Sequence, residues 1–414
     1  MISDKGILPT DLSQFQVTIN GKDVSQAISG VIIYQDVLSP IWTCELQVAD
    51  TNNLIMNVPI APGSTIEIEI ESNQGFSLNG SKSYEFVVFG INDKKFINSK
   101  FQTYMVSGVS PEIIKNQSIR VKKSYQAQSP TDIATNIIKN SLGASLEVDS
   151  SENTITTIVS NLSPFTAVNK MCKVALCNGA ADMILFQIDT GKFAMKSIEK
   201  MYSDTDSGVT FILKPAGIKD NSGNSTTDLT LSIVDYNMEH FNAMSSLGSG
   251  MFGNKTVSFD FMSKAFTSKT FKYGDDNKQD NSKKSWDSET FESPNSNITF
   301  VPKHTNLHTD DTAFTSMDKW VGSRKSSIMK LEQDRLILQV PGAVKAWELI
   351  GKSFNVDMPS QQSMSDGEDL DLYYKGAYLC IAIAHFYGKH GAWVNIAGVK
   401  KRLEKSMNSS FSIS

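Results

Sequence analysis

The chain has 414 residues, 40% apolar and 9% aromatic, with a formal net charge of −5. That length suits two or three domains with real cores, and the near-balanced charge lacks the basic face of a nucleic-acid binder. No run of about 18 apolar residues offers a membrane span, and MISDKGILPTDLS lacks the basic start and apolar stretch of a secretory signal.

Residues 1–12 read as a loose lead-in. From Gln14 the chain turns strongly β: FQVTI, an Asn20-Gly21 hairpin signal, then VIIYQDV, WTCELQVAD, TIEIEIES, YEFVVFGIND, FQTYMVSGV and SIRVKKSYQ. Ile66, Ile68 and Ile70 alternate with Glu67, Glu69 and Glu71, the pattern of a half-buried antiparallel strand. At Ser129 the period changes. Ser129 as N-cap, Pro130 at the first helical position, Asp132 as capping acid and Gly143 as stop predict a helix. TITTIVS reads as a strand. Ser163-Pro164 then starts a second helix with Phe165, Val168, Cys172, Ala175 and Leu176 on one face, ended by Asn178-Gly179. MILFQI and KFAMKSI follow as two strands around Asp189-Thr190-Gly191. Residues 161–199 thus form a rigid helix–strand–strand unit without convergent polar groups.

VTFILKP and DLTLSIVDYN return to β character. FNAMSSLGSG is a short link, and KTVSFDF with KTFKY reads as a hairpin. The polar stretch DDNKQDNSKKSWDSETFESPNSN reads as a long loop, and a helix covers TAFTSMDKWVGSRKSSIMKLEQ. DRLILQVPG, SFNVDMPS, YLCIAIAHFY and AWVNIAGVKKRL close the chain as strands, with a frayed tail. An internal echo runs through this order. Pro62-Gly63 before TIEIEI matches Pro341-Gly342 before SFNVDM, YMVSGV matches YLCIAI, and SIRVKK matches AGVKK.

The expected fold class is mainly β with a smaller α/β part: two similar antiparallel β-barrel domains, a mixed α/β domain and a polar insertion. The expected domains are a first barrel at 10–122 and a mixed α/β domain at 123–208. The second barrel takes 209–275 and 334–405, around an insertion at 276–333. A flexible tail covers 406–414.

A search for chemistry returns no site. Gly248-Ser249-Gly250-Met251-Phe252-Gly253 matches GxGxxG, but it follows a helical link and precedes a strand, the reverse of a dinucleotide fold. His304 and His308 with Asp310 and Asp311 have metal-like spacing but sit among loop residues without a fixed third ligand. His385 lies on a strand and His390 in the next turn, with no acid partner beyond the solvated run Asp366, Glu368, Asp369 and Asp371. Cys44, Cys172, Cys177 and Cys380 are scattered and read as small core residues. The expectation is therefore no catalytic residue, no cofactor and no metal.

SPFTAVNKMCKVAL followed by ILFQIDTGKFAMKSIEKMY resembles a signature of the central baseplate hub proteins of T-even-like, contractile-tailed bacteriophages; Phe165, Asn169, Phe186, Gly191, Phe193, Ser197 and Ile198 carry the match. GMFGNKTVSFDFMSK at 250–264 is a second resemblance, and Pro341-Gly342, Gly351 and Gly376–Tyr387 are a third. The polar segment 276–300 matches nothing in that family. The resemblance implies two similar barrels per subunit and a homotrimer, a structural symmetry adapter rather than an enzyme. Its partners would be the tail spike or tail lysozyme below, the tail tube or tube initiator above, and the baseplate wedges. Nucleic acid would only pass through the lumen. Its place would be the virion baseplate, assembled in the bacterial cytoplasm. Alternatives are a tail-associated glycan- or peptidoglycan-cleaving enzyme, or the hub of a phage-derived injection machine.

Overall fold

The computed structural model describes residues 8, 10–51, 53–72, 76–98, 100–204, 206–213, 229–239, 243–273, 293, 295–303, 317–359, 374–388 and 391–400. The first part of the chain is β1 (Leu12–Ile19), β2 (Lys22–Asp23), β3 (Ile28–Asp36), β4 (Thr43–Asp50), the short α1 (Leu54–Asn57), β5 (Thr65–Ser72), β6 (Ser81–Asn98) and β7 (Phe101–Val109). Asn20 and Gly21 both take positive φ at the β1–β2 turn, as a tight hairpin requires. Ile66, Ile68 and Ile70 face a core that also holds Trp42, Leu46, Tyr84, Phe86 and Tyr104.

The middle part comprises α2 (Glu112–Ser118), β8 (Val121–Gln128), α3 (Pro130–Ile137), β9 (Ser145–Val148), β10 (Ile155–Leu162), α4 (Pro164–Cys172), β11 (Met183–Asp189), β12 (Lys192–Ser197) and α5 (Ile198–Asp204). Ser129 caps α3, its Oγ accepting from Asp132 N at 3.1 Å. Strands β8 and β10 pair antiparallel, while β12 pairs antiparallel with β11 and parallel with β9. This unit has its own core of Ile133, Ile137, Val159, Phe165, Val168, Met171, Leu185 and Phe193. Helix α4 stops at Cys172, earlier than the apolar periodicity predicts. Asn178-Gly179 is not its cap. It makes a separate tight turn closed by mutual Cys177–Ala180 backbone bonds of 2.9 Å.

The last part contains β13 (Asp206–Ile212), β14 (Asp235–Glu239), α6 (Ala243–Ser249), β15 (Gly253–Asp260), β16 (Ala265–Lys272), β17 (Ile298–Lys303), α7 (Met317–Lys330), β18 (Arg335–Pro341), β19 (Ser353–Asp357), β20 (Gly376–Gly388) and β21 (Gly391–Lys400). The hairpin β15–β16 does not join the large sheet. It forms a three-stranded sheet of order β16-β15-β17, with β17 parallel to β15.

The large sheet has one topology used twice. In the first six strands the spatial order is β1-β5-β6-β7-β4-β3; in the second it is β13-β19-β20-β21-β18-β14. Ranked by position in the chain, both read first, fourth, fifth, sixth, third, second. One departure marks the second lobe: β13 runs parallel to β19, whereas β1 is antiparallel to β5. Packing repeats as well. Gly108 on β7 and Gly398 on β21 occupy the same topological place. A Cβ at Gly108 would lie 3.0 Å from Ile66 and 3.2 Å from Phe86; one at Gly398 would lie 2.6 Å from Phe354 and 2.9 Å from Tyr378. Those neighbours correspond pairwise on β5/β19 and β6/β20.

The echo read from sequence therefore needs one correction. TIEIEI and SFNVDM are equivalent strands, but YLCIAI on β20 corresponds to β6, and the counterpart of YMVSGV on β7 is β21. SIRVKK belongs to β8, outside both lobes. Neither lobe closes into a cylinder among the described residues. The edge of β3 that would face β1 is taken by β20, so the two lobes fuse into one continuous sheet. Each lobe keeps a separate core, one around Trp42 and Tyr84 and the other around Phe211, Phe354 and Tyr378.

Candidate assembly surfaces

The residues with chemical potential lie far apart. Gly250 has φ +83° in the turn between α6 and β15, and its carbonyl accepts from Asn254 Nδ2 at 2.9 Å, so the glycine motif builds a helix-to-strand turn. His304, His308, Asp310, Asp311, His390, Asp366, Glu368, Asp369 and Asp371 lie outside the described residues. All four cysteines are buried, and burial raises their thiols, Cys172 to about 12. Among the described residues no group of three or more His, Cys, Asp and Glu could hold a metal ion.

His385 sits where the lobes meet. Strand β20 pairs antiparallel with β3 from Ala382↔Asp36 to Gly388↔Gly30, placing His385 opposite Ile33. The ring is fully buried. Its Nε2 lies 3.4 Å from Gln35 Oε1, its Nδ1 lies 3.1 Å from Tyr387 Oη, and Tyr387 Oη lies 3.4 Å from Tyr84 Oη. One donor sequence satisfies the chain: Tyr84 donates to Tyr387, Tyr387 to Nδ1, and Nε2–H to Gln35. That sequence requires neutral imidazole, and burial pushes its pKa down to about 3. Residues from β6 and β3 of one lobe and β20 of the other are thus tied in a buried polar line. It is a junction between the lobes.

A second joint fixes the α/β unit to the first lobe. Trp42 N donates to Gln187 Oε1 at 2.9 Å, Trp42 Nε1 donates to the Gln187 carbonyl at 3.0 Å, and Ser110 Oγ donates to Gln187 Oε1 at 2.7 Å. Gln187 is 1% exposed on a strand whose neighbours are apolar, and that lone polar residue in MILFQI was the available signal. Beside it Lys82 pairs with Asp189 at 2.6 Å and lies 3.6 Å from the Trp347 ring centroid. Burial works to raise the Asp189 carboxyl, but the bonds from Lys82 and Thr190 N and the charge of Lys192 hold it below the usual range.

A third joint holds α7. Arg324 Nη1 donates to the carbonyls of Cys172, Ala181 and Met183 at 3.0, 3.1 and 2.8 Å, which fastens α7 to the α/β unit. Burial lowers the Arg324 pKa, while Asp182 nearby supports the charge. Small residues flank it in GSRKSS. Gly322 touches Asn254, whose Nδ2 donates to the Gly322 carbonyl at 3.1 Å, and Ser326 Oγ donates to the Met251 carbonyl at 2.8 Å. This places the sheet β16-β15-β17 inside out. Asn254, Thr256, Ser258 and Asp260 face the protein and are buried, whereas Phe266 is 71% and Phe300 73% exposed. Phe259 lies opposite Phe266, and Val257 opposite Phe300, so these side chains share the outer face. With Phe261, Met262 and Ile298 the exposed apolar area is on the order of 500 Å² at ~200 Å² per aromatic side chain.

Two stretches of strand, in β6 and β14, have a neighbour on one side alone among the described residues, leaving two open sheet edges. Among the described residues the second half of β6, from Phe89 onward, pairs with β7 alone, and Phe89, Phe96 and Ile97 are exposed. Among the described residues β14 pairs with β18 alone, and Tyr236, partly exposed, meets the Tyr374 ring edge-on at 6.2 Å between centroids.

No family model and no curated protein matches the sequence. Solved structures do match the fold. The 43 kDa tail protein of prophage MuSo2 from Shewanella oneidensis is similar with a TM-score of 0.54 and 14% identity, covering 94% of this chain and 98% of the other. The tail protein from Neisseria meningitidis MC58 is similar with a TM-score of 0.53 and 10% identity, covering 93% and 96%. The fold of this chain is thus that of two tail proteins over nearly the full length of each.

Proposed function

We propose that the chain is the central hub of a contractile-tail baseplate, a homotrimeric symmetry adapter between a hexameric tube and a trimeric cell-puncturing spike. The observation that carries this reading is the duplicated topology. Six strands in one order occur twice, and three copies would supply six similar lobes to a ring. Such a ring matches sixfold symmetry on one face and threefold symmetry on the other. The tail-protein fold supports the setting, and the resemblance of residues 161–199 to the hub signature supports the specific place.

In this reading the ring lobes are the two strand sets, each the counterpart of a barrel that neighbours complete. The α/β unit and the arm of β15–β17 with α7 lie outside the ring. Their buried joints through Gln187 and Arg324 suit a part that must transmit load without shearing. The partners are further copies of itself, the spike, the tube initiator and the wedge proteins. The function is structural, and no reaction is assigned to it. The test is co-assembly with tube-initiator and spike proteins of the same tail, imaged by electron microscopy. A threefold ring of six lobes between the two is expected. Failure to bind either protein, or a ring of another symmetry, overturns the proposal.

A further inference from the structure

The junction inside one chain specifies a junction between chains. Within the chain, β3 of the first lobe pairs with the distal half of β20 in the second. By topology β14 is the counterpart of β3, and the distal half of β6 is the counterpart of the distal half of β20. These two counterparts are the open edges described above. We propose that β14 of one copy pairs antiparallel with residues 92–98 of β6 in the next copy, repeating the β3–β20 contact around the ring. This inference rests on the trimeric hub reading and adds to it the strands, the register and the residues.

The register follows from pairings already present. Matching Gly108 with Gly398 aligns β7 with β21, and their partners Cys44 and Leu336 then align β4 with β18. Met238, opposite Leu336, corresponds to Ile33, opposite Cys44, so Asp235–Glu239 corresponds to residues 30–34. On the other side, Tyr387 is opposite Ala392, the counterpart of Gln102, which is opposite Phe96. Since Val31 pairs with Tyr387 inside the chain, its counterpart Tyr236 must pair with Phe96 between chains. The same steps set Asp235 against Asn98, Asn237 against Lys95 and Glu239 against Asn92.

The chemistry of the two edges agrees with that register. Tyr236 and Phe96, 42% and 76% exposed, would form a directly opposed aromatic pair. Lys95 would fall between Asp235 and Glu239, its diagonal neighbours, with Lys94 and Asp93 adjoining; Glu239 also lies 3.9 Å from Arg335 of its own chain. The bulges at 92/95 and 96/98 discourage pairing of β6 with arbitrary strands. A contact between two different surfaces of one chain is head-to-tail, and a closed rotation turns it into a ring.

A disulfide trap tests the register. The chain carrying Phe96→Cys and Tyr236→Cys should form covalent dimers and trimers on mild oxidation; a chain carrying Ile97→Cys and Tyr236→Cys, one residue out, should not. Hydrogen exchange on the unaltered protein is the companion measurement. Amides of 235–239 and 92–98 should be protected at least tenfold more in the trimer than in diluted monomer. A trimer by light scattering that neither cross-links through 96–236 nor protects these amides overturns this inference and leaves the hub reading intact. A chain that stays monomeric overturns both.

Discussion

Acid should weaken this protein through one imidazole. His385 titrates near 6.5 in an unfolded chain, and its folded value is pushed down to about 3 by burial. Between those values the unfolded state binds a proton that the folded state refuses, so stability falls as pH drops below 6.5 and the loss is complete near 3. Above 6.5 both states are neutral and the group is silent. At pH 5 the cost is about 2 kcal/mol, from 1.5 pH units at about 1.36 kcal/mol each. The folded state resists accepting the proton, because His385 Nδ1 already accepts from Tyr387 and the ring is fully buried. Urea unfolding followed by tryptophan fluorescence at pH 7.5 and 5.0 supplies the measurement, with His385→Gln as reference. Other groups titrate in both proteins, so the difference between them isolates the imidazole. The wild-type chain should lose about 2 kcal/mol more than the variant. Equal losses would refute the buried, neutral histidine at the lobe junction.

Other expectations follow from the same contacts. Gly108→Ala and Gly398→Ala should each destabilise by roughly 1–3 kcal/mol, because the new methyl meets Cys44 Sγ or Phe354 Cζ at 2.6 Å; chemical denaturation reads this, and tolerance of both would undo the assigned equivalence. Arg324→Met removes the donor from three carbonyls and should cost about 3 kcal/mol or more, seen first as faster proteolysis of residues 243–330 while the lobes stay protected. Gln187→Leu removes the acceptor shared by Ser110 Oγ and the Trp42 amide, leaving that amide only Ser110 Oγ, and should lower stability by about 1–3 kcal/mol, measured as a shift in denaturation midpoint. Deleting 276–292 should leave the assembled state unchanged in light scattering. A deletion reaching 300 should not, because it removes Ser296, whose Oγ donates to the Gly253 carbonyl, and half of β17.

Local features were legible in the sequence and long-range ones were not. The Ile66–Glu71 alternation, the Ser129 cap and the Asn20-Gly21 turn each depend on a few neighbouring residues, and each stands as read. The repeat was half legible. Proline–glycine punctuation located β5 and β19 correctly, but a tyrosine anchor matched β7 to β20. The equivalence is carried by the less visible pairs Phe86/Tyr378 and Gly108/Gly398. Open edges in place of closed barrels could not be read, because the decisive contact joins Ile33 to His385 across most of the chain. The α4 terminus was misplaced because Ala175 stays buried beyond the helix and continues its apolar spacing. Of the candidate surfaces, Phe266 and Phe300 lie outside the strands read from sequence, Phe266 before KTFKY and Phe300 in the insertion read as loop and helix. Only the buried polar face against α7 reveals their inversion.

The number of copies that assemble decides whether the chain is a trimeric hub. Light scattering of the purified 45.6 kDa chain at micromolar concentration should give the mass of three copies alone, and three copies plus the bound partners when the spike and tube-initiator proteins are added. A strictly monomeric species under all of these conditions would contradict the hub reading.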